Sequence, residues 1–126
     1  MKKVIVIDDE PFILMMIEDK LRKARYDVIT LRESRGAMEV IIKEKPDLVI
    51  LDWMMPEISG IDICRMLKQN PDVLDIPVFM LTAKGQDADE QMGLKCGVTR
   101  YITKPFSPKA LLEMVKETIG NDEPGK

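Results

Sequence analysis

Five short apolar, β-branched runs recur along the chain, and an amphipathic stretch follows each one. The runs are KVIVID (3 to 8), YDVITL (26 to 31), DLVILD (47 to 52), IPVFML (76 to 81) and TRYIT (99 to 103). Read as strands, they alternate with helices expected over Pro11 to Arg25, Ser34 to Lys45, Ser59 to Gln69, Gln86 to Lys95 and Ser107 to Ile119. The runs at 3 to 8 and 47 to 52 have unbroken apolar interiors, as parallel strands covered on both faces do. Such alternation predicts a doubly wound α/β domain with a parallel sheet. Pro11 suits a first helical position, Ser34 and Ser59 are candidate N-caps, and Gly97 is a candidate left-handed stop.

Composition narrows the chemistry. With 126 residues, 45% of them hydrophobic, the chain can build one core and not two. Residues 1 to 120 form the expected domain, and NDEPGK at 121 to 126 reads as a polar tail or the start of a linker. The 19 basic and 22 acidic side chains nearly cancel without forming a block of either sign, so no direct contact with nucleic acid is expected. No apolar run approaches the ~20 residues of a bilayer span, and the start MKKVIVIDDE turns acidic before a signal-peptide core could form; a cytoplasmic protein with no membrane partner is expected. Cys64 and Cys96 lack metal-ligand spacing and read as reduced thiols. The absence of histidine excludes Ser-His-Asp and Cys-His nucleophiles, His-ligated zinc and a phosphohistidine on this chain. What remains is carboxylate, hydroxyl and lysine chemistry, with or without a hard cation.

In an open α/β sheet the binding crevice lies beyond the carboxyl ends of the strands. The residues there are polar: Asp8-Asp9-Glu10 after the first run, Asp52 at the end of the third, Thr82-Ala83-Lys84 after the fourth and Lys104-Pro105 after the fifth. Each alone also fits an ordinary role. An acid near position 9 could cap the first helix, Thr82 could tie down a loop, Lys104 could be a surface charge, and Asp52 suits a turn cap as well as a nucleophile. Together they bring at least three acids to one sheet edge, where repulsion is costly without a cation. Mg²⁺ fits, because it prefers oxygen ligands and takes one or two carboxylates plus water and phosphate oxygens. Carboxylates, a lysine and a hydroxyl around such an ion suit phosphoryl transfer, in which a carboxylate can itself be the nucleophile.

VIVIDDEP (4 to 11), LVILDWMMPEISG (48 to 60), VFMLTAKG (78 to 85) and YITKPF (101 to 106), in this order, resemble the receiver domain of two-component response regulators over essentially the whole chain. The resemblance implies a flavodoxin-like (βα)5 fold with strand order 2-1-3-4-5. It implies Asp52 as phosphoacceptor, Asp8, Asp9, Asp52 and the Met54 backbone carbonyl as ligands of Mg²⁺ (with Mn²⁺ able to substitute), and Lys104 and Thr82 on the phosphoryl oxygens. Tyr101 corresponds to the aromatic switch residue, Ala83 follows the switch threonine, and the Lys104-Pro105 peptide is expected to be cis. Met54 and Lys84 stand where the family tunes the lifetime of the phosphoryl group. The donor would be a phosphohistidine on a sensor histidine kinase or a histidine phosphotransfer protein. A downstream output protein or domain would read the switched surface around the fourth helical stretch, the fifth strand and the last helix, and a phosphorylation-dependent homodimer is one form that output takes. The protein would promote its own phosphorylation and dephosphorylation without being a turnover enzyme. A haloacid-dehalogenase-type phosphatase resembles DxDx[TV], which methionine at position 54 breaks, and an FMN carrier needs a Ser/Thr/Gly-rich phosphate loop where this chain has three acids. A module of this fold that has lost phosphorylation is the remaining alternative.

Overall fold

The computed structural model describes residues 1–83 and 96–121. Within them lie β1 (Lys3–Ile7), α1 (Pro11–Lys23), β2 (Asp27–Leu31), α2 (Ala37–Glu44), β3 (Leu48–Asp52), α3 (Gly60–Lys68), β4 (Val78–Ala83), β5 (Arg100–Lys104) and α4 (Pro108–Ile119). The helix expected over Gln86 to Lys95 lies outside the described residues, as does Lys84. All five strands run parallel in the order β2-β1-β3-β4-β5. The doubly wound, flavodoxin-like arrangement read from the sequence is therefore the one observed.

Strand periodicity divides the core into two layers. Ile5, Ile7, Val49, Leu51, Val78 and Met80 pack with Ala37 and Ile41 of α2 and Ile63 and Leu67 of α3. Val4, Val6, Leu48, Ile50, Phe79 and Leu81 face the other way, against Leu14, Ile17 and Leu21 of α1 and Leu111 and Val115 of α4. Both β1 and β3 are buried on the two faces at once, which is why their sequences lack a polar alternation.

Three local expectations change. Ser34 does not cap α2, which begins at Ala37 behind a left-handed Gly36 (φ 80°). Its hydroxyl is engaged elsewhere, donating to the Pro56 carbonyl at 3.0 Å and accepting from the Ile58 N–H at 3.2 Å. The fourth strand starts at Val78 and not at 76, because Pro77 has no N–H to give to a ladder and Ile76 closes a turn on Val73. No side chain of the acidic run caps α1: its N-cap is Glu10, which makes no side-chain cap bond. Ser59 does cap α3, accepting from the Asp62 N–H at 3.2 Å.

Candidate functional site

Because all strands point the same way, their carboxyl ends share one edge, and parity decides which side chains meet there. Asp8 and Asp52 continue the alternation of Val4 and Val6 and of Leu48 and Ile50, and Lys104 that of Ile102; all three therefore lie on the side of α1 and α4. Ile7 pairs with Leu51, which brings Asp8 level with Asp52. Lys104 comes from two strands away and reaches back between the acids.

Its Nζ lies 2.9 Å from Asp8 Oδ2, 3.0 Å from Glu10 Oε1 and 3.2 Å from Asp52 Oδ1. The contacts to Glu10 and Asp52 are hydrogen bonds that the ammonium donates. The contact to Asp8 Oδ2 has an ion-pair distance without hydrogen-bonding geometry, so this fully buried oxygen lacks a hydrogen-bond donor among the described residues. Asp8 Oδ1 accepts from the Glu10 N–H at 2.8 Å, which turns the chain from β1 into α1 and aims Glu10 at the lysine. Asp9 is exposed at the rim. The Lys104–Pro105 peptide is cis.

One oxygen from each of Asp8, Asp9, Glu10 and Asp52 lies within 4.8 Å of the others. Among the described residues, four carboxylates face one ammonium. Burial, followed by the charge of Asp8, pushes the Asp52 carboxyl up to about 7, and Lys104 only partly offsets this. Asp8 is likewise raised by burial. Burial works to lower Lys104, but its close contacts with the Asp8 and Glu10 carboxylates outweigh it and hold the ammonium firmly charged. An all-oxygen donor set, an excess of negative charge and a buried oxygen without a donor fit a hard divalent cation such as Mg²⁺.

Thr82 sits differently. Its hydroxyl donates to the Ala83 carbonyl at 3.4 Å, and alternation places Thr82 with Val78 and Met80, on the side of the sheet away from Asp52. Tyr101 shares that side, half-buried, with its ring centroid 6.5 Å from that of Trp53. Ala83 is the exposed last residue of β4. The side chain of Met54 is 64% exposed. The expected site residues thus form two groups, the acids with Lys104 on one side and Thr82 with Tyr101 on the other.

Two neighbours of the site had no individual role in the sequence reading. Glu10 was visible within the acidic run, but its bond to Lys104 joins residues 94 apart. Gly60 opens α3 so close to β3 that a Cβ there would stand 2.2 Å from the Asp52 carbonyl oxygen. Its place at the end of PEISG was the only signal.

A family model described as "Response regulator receiver domain" matches residues 4–116. The phosphate regulon transcriptional regulatory protein PhoB of Pseudomonas aeruginosa is 42% identical over 124 residues, covering 98% of this chain and 54% of the relative. The alkaline phosphatase synthesis transcriptional regulatory protein PhoP of Bacillus subtilis is 40% identical over 122 residues, covering 97% of this chain and 50% of that protein. The chain therefore spans about half the length of these curated relatives. Among solved structures, the chemotaxis protein CheY4 of Vibrio cholerae is similar with a TM-score of 0.87 and 30% identity, covering 94% of this chain and 98% of that one.

Proposed function

The chain belongs to the response regulator receiver family, signalling domains of two-component systems, and on that premise we propose that residues 1–120 accept a phosphoryl group on Asp52 with Mg²⁺ held beside it. The observation that carries the reading is the convergence on Lys104, whose Nζ touches Asp8, Glu10 and Asp52 at 2.9, 3.0 and 3.2 Å. Asp8, Asp9, Asp52 and the Met54 carbonyl are the proposed holders of the ion, with Mn²⁺ able to replace it. When bound, the ion neutralises charge on the phosphoryl oxygens.

This chain's own groups do the rest. An ionised Asp52 oxygen attacks phosphorus as the bond to a donor imidazole breaks, and the released imidazole takes up a proton. Lys104, fixed by three acids, is free to turn one of its N–H groups onto the incoming oxygens, and Thr82 supplies a hydroxyl after crossing from the far side of β4. That crossing draws on Tyr101, which shares the side Thr82 leaves. A local charge event is thereby coupled to the surface around residues 86–95, β5 and α4, where an output protein or domain, or a second copy of the chain, would dock.

The donor is a sensor histidine kinase or a histidine phosphotransfer protein, which explains why a chain without histidine can work in this chemistry. The protein is consumed by its own reaction and is not a turnover enzyme. Among the described residues no helix is long and apolar enough to cross a membrane, and we place the domain in the cytoplasm, with no direct contact to nucleic acid through residues 1–120.

Incubation with acetyl phosphate and Mg²⁺ tests the reading. The intact chain gains about 80 Da, the mass of one phosphoryl group, and Asp52→Ala gains nothing. A gain that survives Asp52→Ala would assign the acceptor elsewhere.

A further inference from the structure

The loop from Asp52 to α3 is gripped by residues from another part of the chain. Within it, the Ile58 N–H donates to the Pro56 carbonyl at 2.9 Å across a left-handed Glu57 (φ 70°), a γ-turn of the rare positive-φ kind. A residue with a side chain adopts that conformation at a cost, so the turn persists only where its surroundings hold it. Two neighbours on the loop after β2 do so. The hydroxyl of Ser34, itself only 3% exposed, spans both ends of the turn, donating to Pro56 and accepting from Ile58 at 3.0 and 3.2 Å. The guanidinium of the next residue, Arg35, pairs with the carboxylate of Glu57 at the centre of the turn.

The far end of the loop is closed as tightly. The Gly60 N–H donates to the Trp53 carbonyl at 3.0 Å, and Gly60 lies against the Asp52 carbonyl where no Cβ would fit. Between these closures the chain from Trp53 to Ser59 has little room to relax without moving Asp52 or the Met54 carbonyl. We propose that Ser34 is a positioning residue for phosphoryl acceptance: by clamping the strained turn at Pro56–Ile58, it sets the aim of the loop that begins at Asp52. The proposal rests on the phosphoacceptor reading of Asp52.

The test compares the wild-type chain with Ser34→Ala, Ser34→Thr and the double variant Ser34→Ala/Glu57→Gly. The readouts are the phosphorylation rate at saturating acetyl phosphate, the apparent Mg²⁺ affinity from Trp53 fluorescence, and the thermal midpoint. Loss of the clamp slows phosphorylation of folded Ser34→Ala by roughly tenfold and weakens Mg²⁺ binding, whereas Ser34→Thr keeps the hydroxyl and stays near the wild-type rate. Glycine adopts positive φ without strain, so Glu57→Gly restores the rate in the double variant. This arm also covers a Ser34→Ala chain that does not fold. A folded Ser34→Ala at the wild-type rate, or a folded double variant that remains slow, overturns the clamp. If the wild-type chain itself takes up no phosphoryl group, the phosphoacceptor reading fails first, and the two failures are distinguishable.

Discussion

Asp52 is placed where ionisation is unfavourable, 5% exposed beside a fully buried Asp8. Burial raises its pKa from 3.8 to about 7, with Asp8 adding to the effect. In metal-free protein the folded form therefore holds the Asp52 proton between about pH 4 and pH 7, while the unfolded chain has already released it. Stability from this group is complete below the unfolded value and is lost as pH rises through about 7. Asp52→Asn removes the penalty while Lys104 keeps Asp8 and Glu10 as partners. At pH 8 without metal, Asp52→Asn is expected to be more stable than wild type by on the order of 1–2 kcal/mol, with the gap closing toward pH 4. Urea denaturation across that range measures it. A gap that widens toward acid would assign the raised proton affinity to another group.

Elements meet at this site through backbone as well as side chains. The first turn of α3 rests on the last residue of β3, and only glycine allows the approach, because the atom that a Cβ at position 60 would meet is a backbone oxygen that cannot swing aside. Gly60→Ala is expected to cost roughly 2–4 kcal/mol in urea denaturation and to slow phosphorylation of the folded fraction, because the strain falls on Asp52, the proposed acceptor. A stability loss with an unchanged rate would show that α3 yields instead of β3. The start of α2 illustrates how a local rule is overridden. Ser34 is the residue type and stands at the spacing expected of an N-cap, but it is buried and its hydroxyl serves two backbone groups of a distant loop, so the helix begins three residues later at Ala37.

For the whole molecule, the excess of carboxylates over ammonium among the described residues at one edge would link folding to the proposed cation binding. Mg²⁺ at about a hundred times its dissociation constant is expected to stabilise the protein by about 2.7 kcal/mol, seen as a rise in thermal midpoint that Asp8→Asn largely removes. An equal rise in Asp8→Asn would mean that the ion acts by general screening. Among the described residues the order of strands and helices was legible in the sequence, because burial on two faces forces continuous apolar runs, while one-sided helices repeat their apolar positions at 3.6 residues. The acids and the lysine at the strand ends were legible for the same reason, since each breaks an apolar run. The bond between Glu10 and Lys104, the fit of Gly60 against Asp52 and the transfer of Ser34 from helix cap to loop clamp were not. Each depends on distance in space between residues far apart in the chain, or on a hydroxyl choosing among several acceptors. The side of the sheet on which Thr82 and Tyr101 lie follows from strand parity, but only after tertiary packing has set where each strand begins. The sequence alone determined which chemical groups reach the edge of the sheet; the tertiary structure decided which of them touch, because register, crossover and loop closure position side chains to within a hydrogen bond's length.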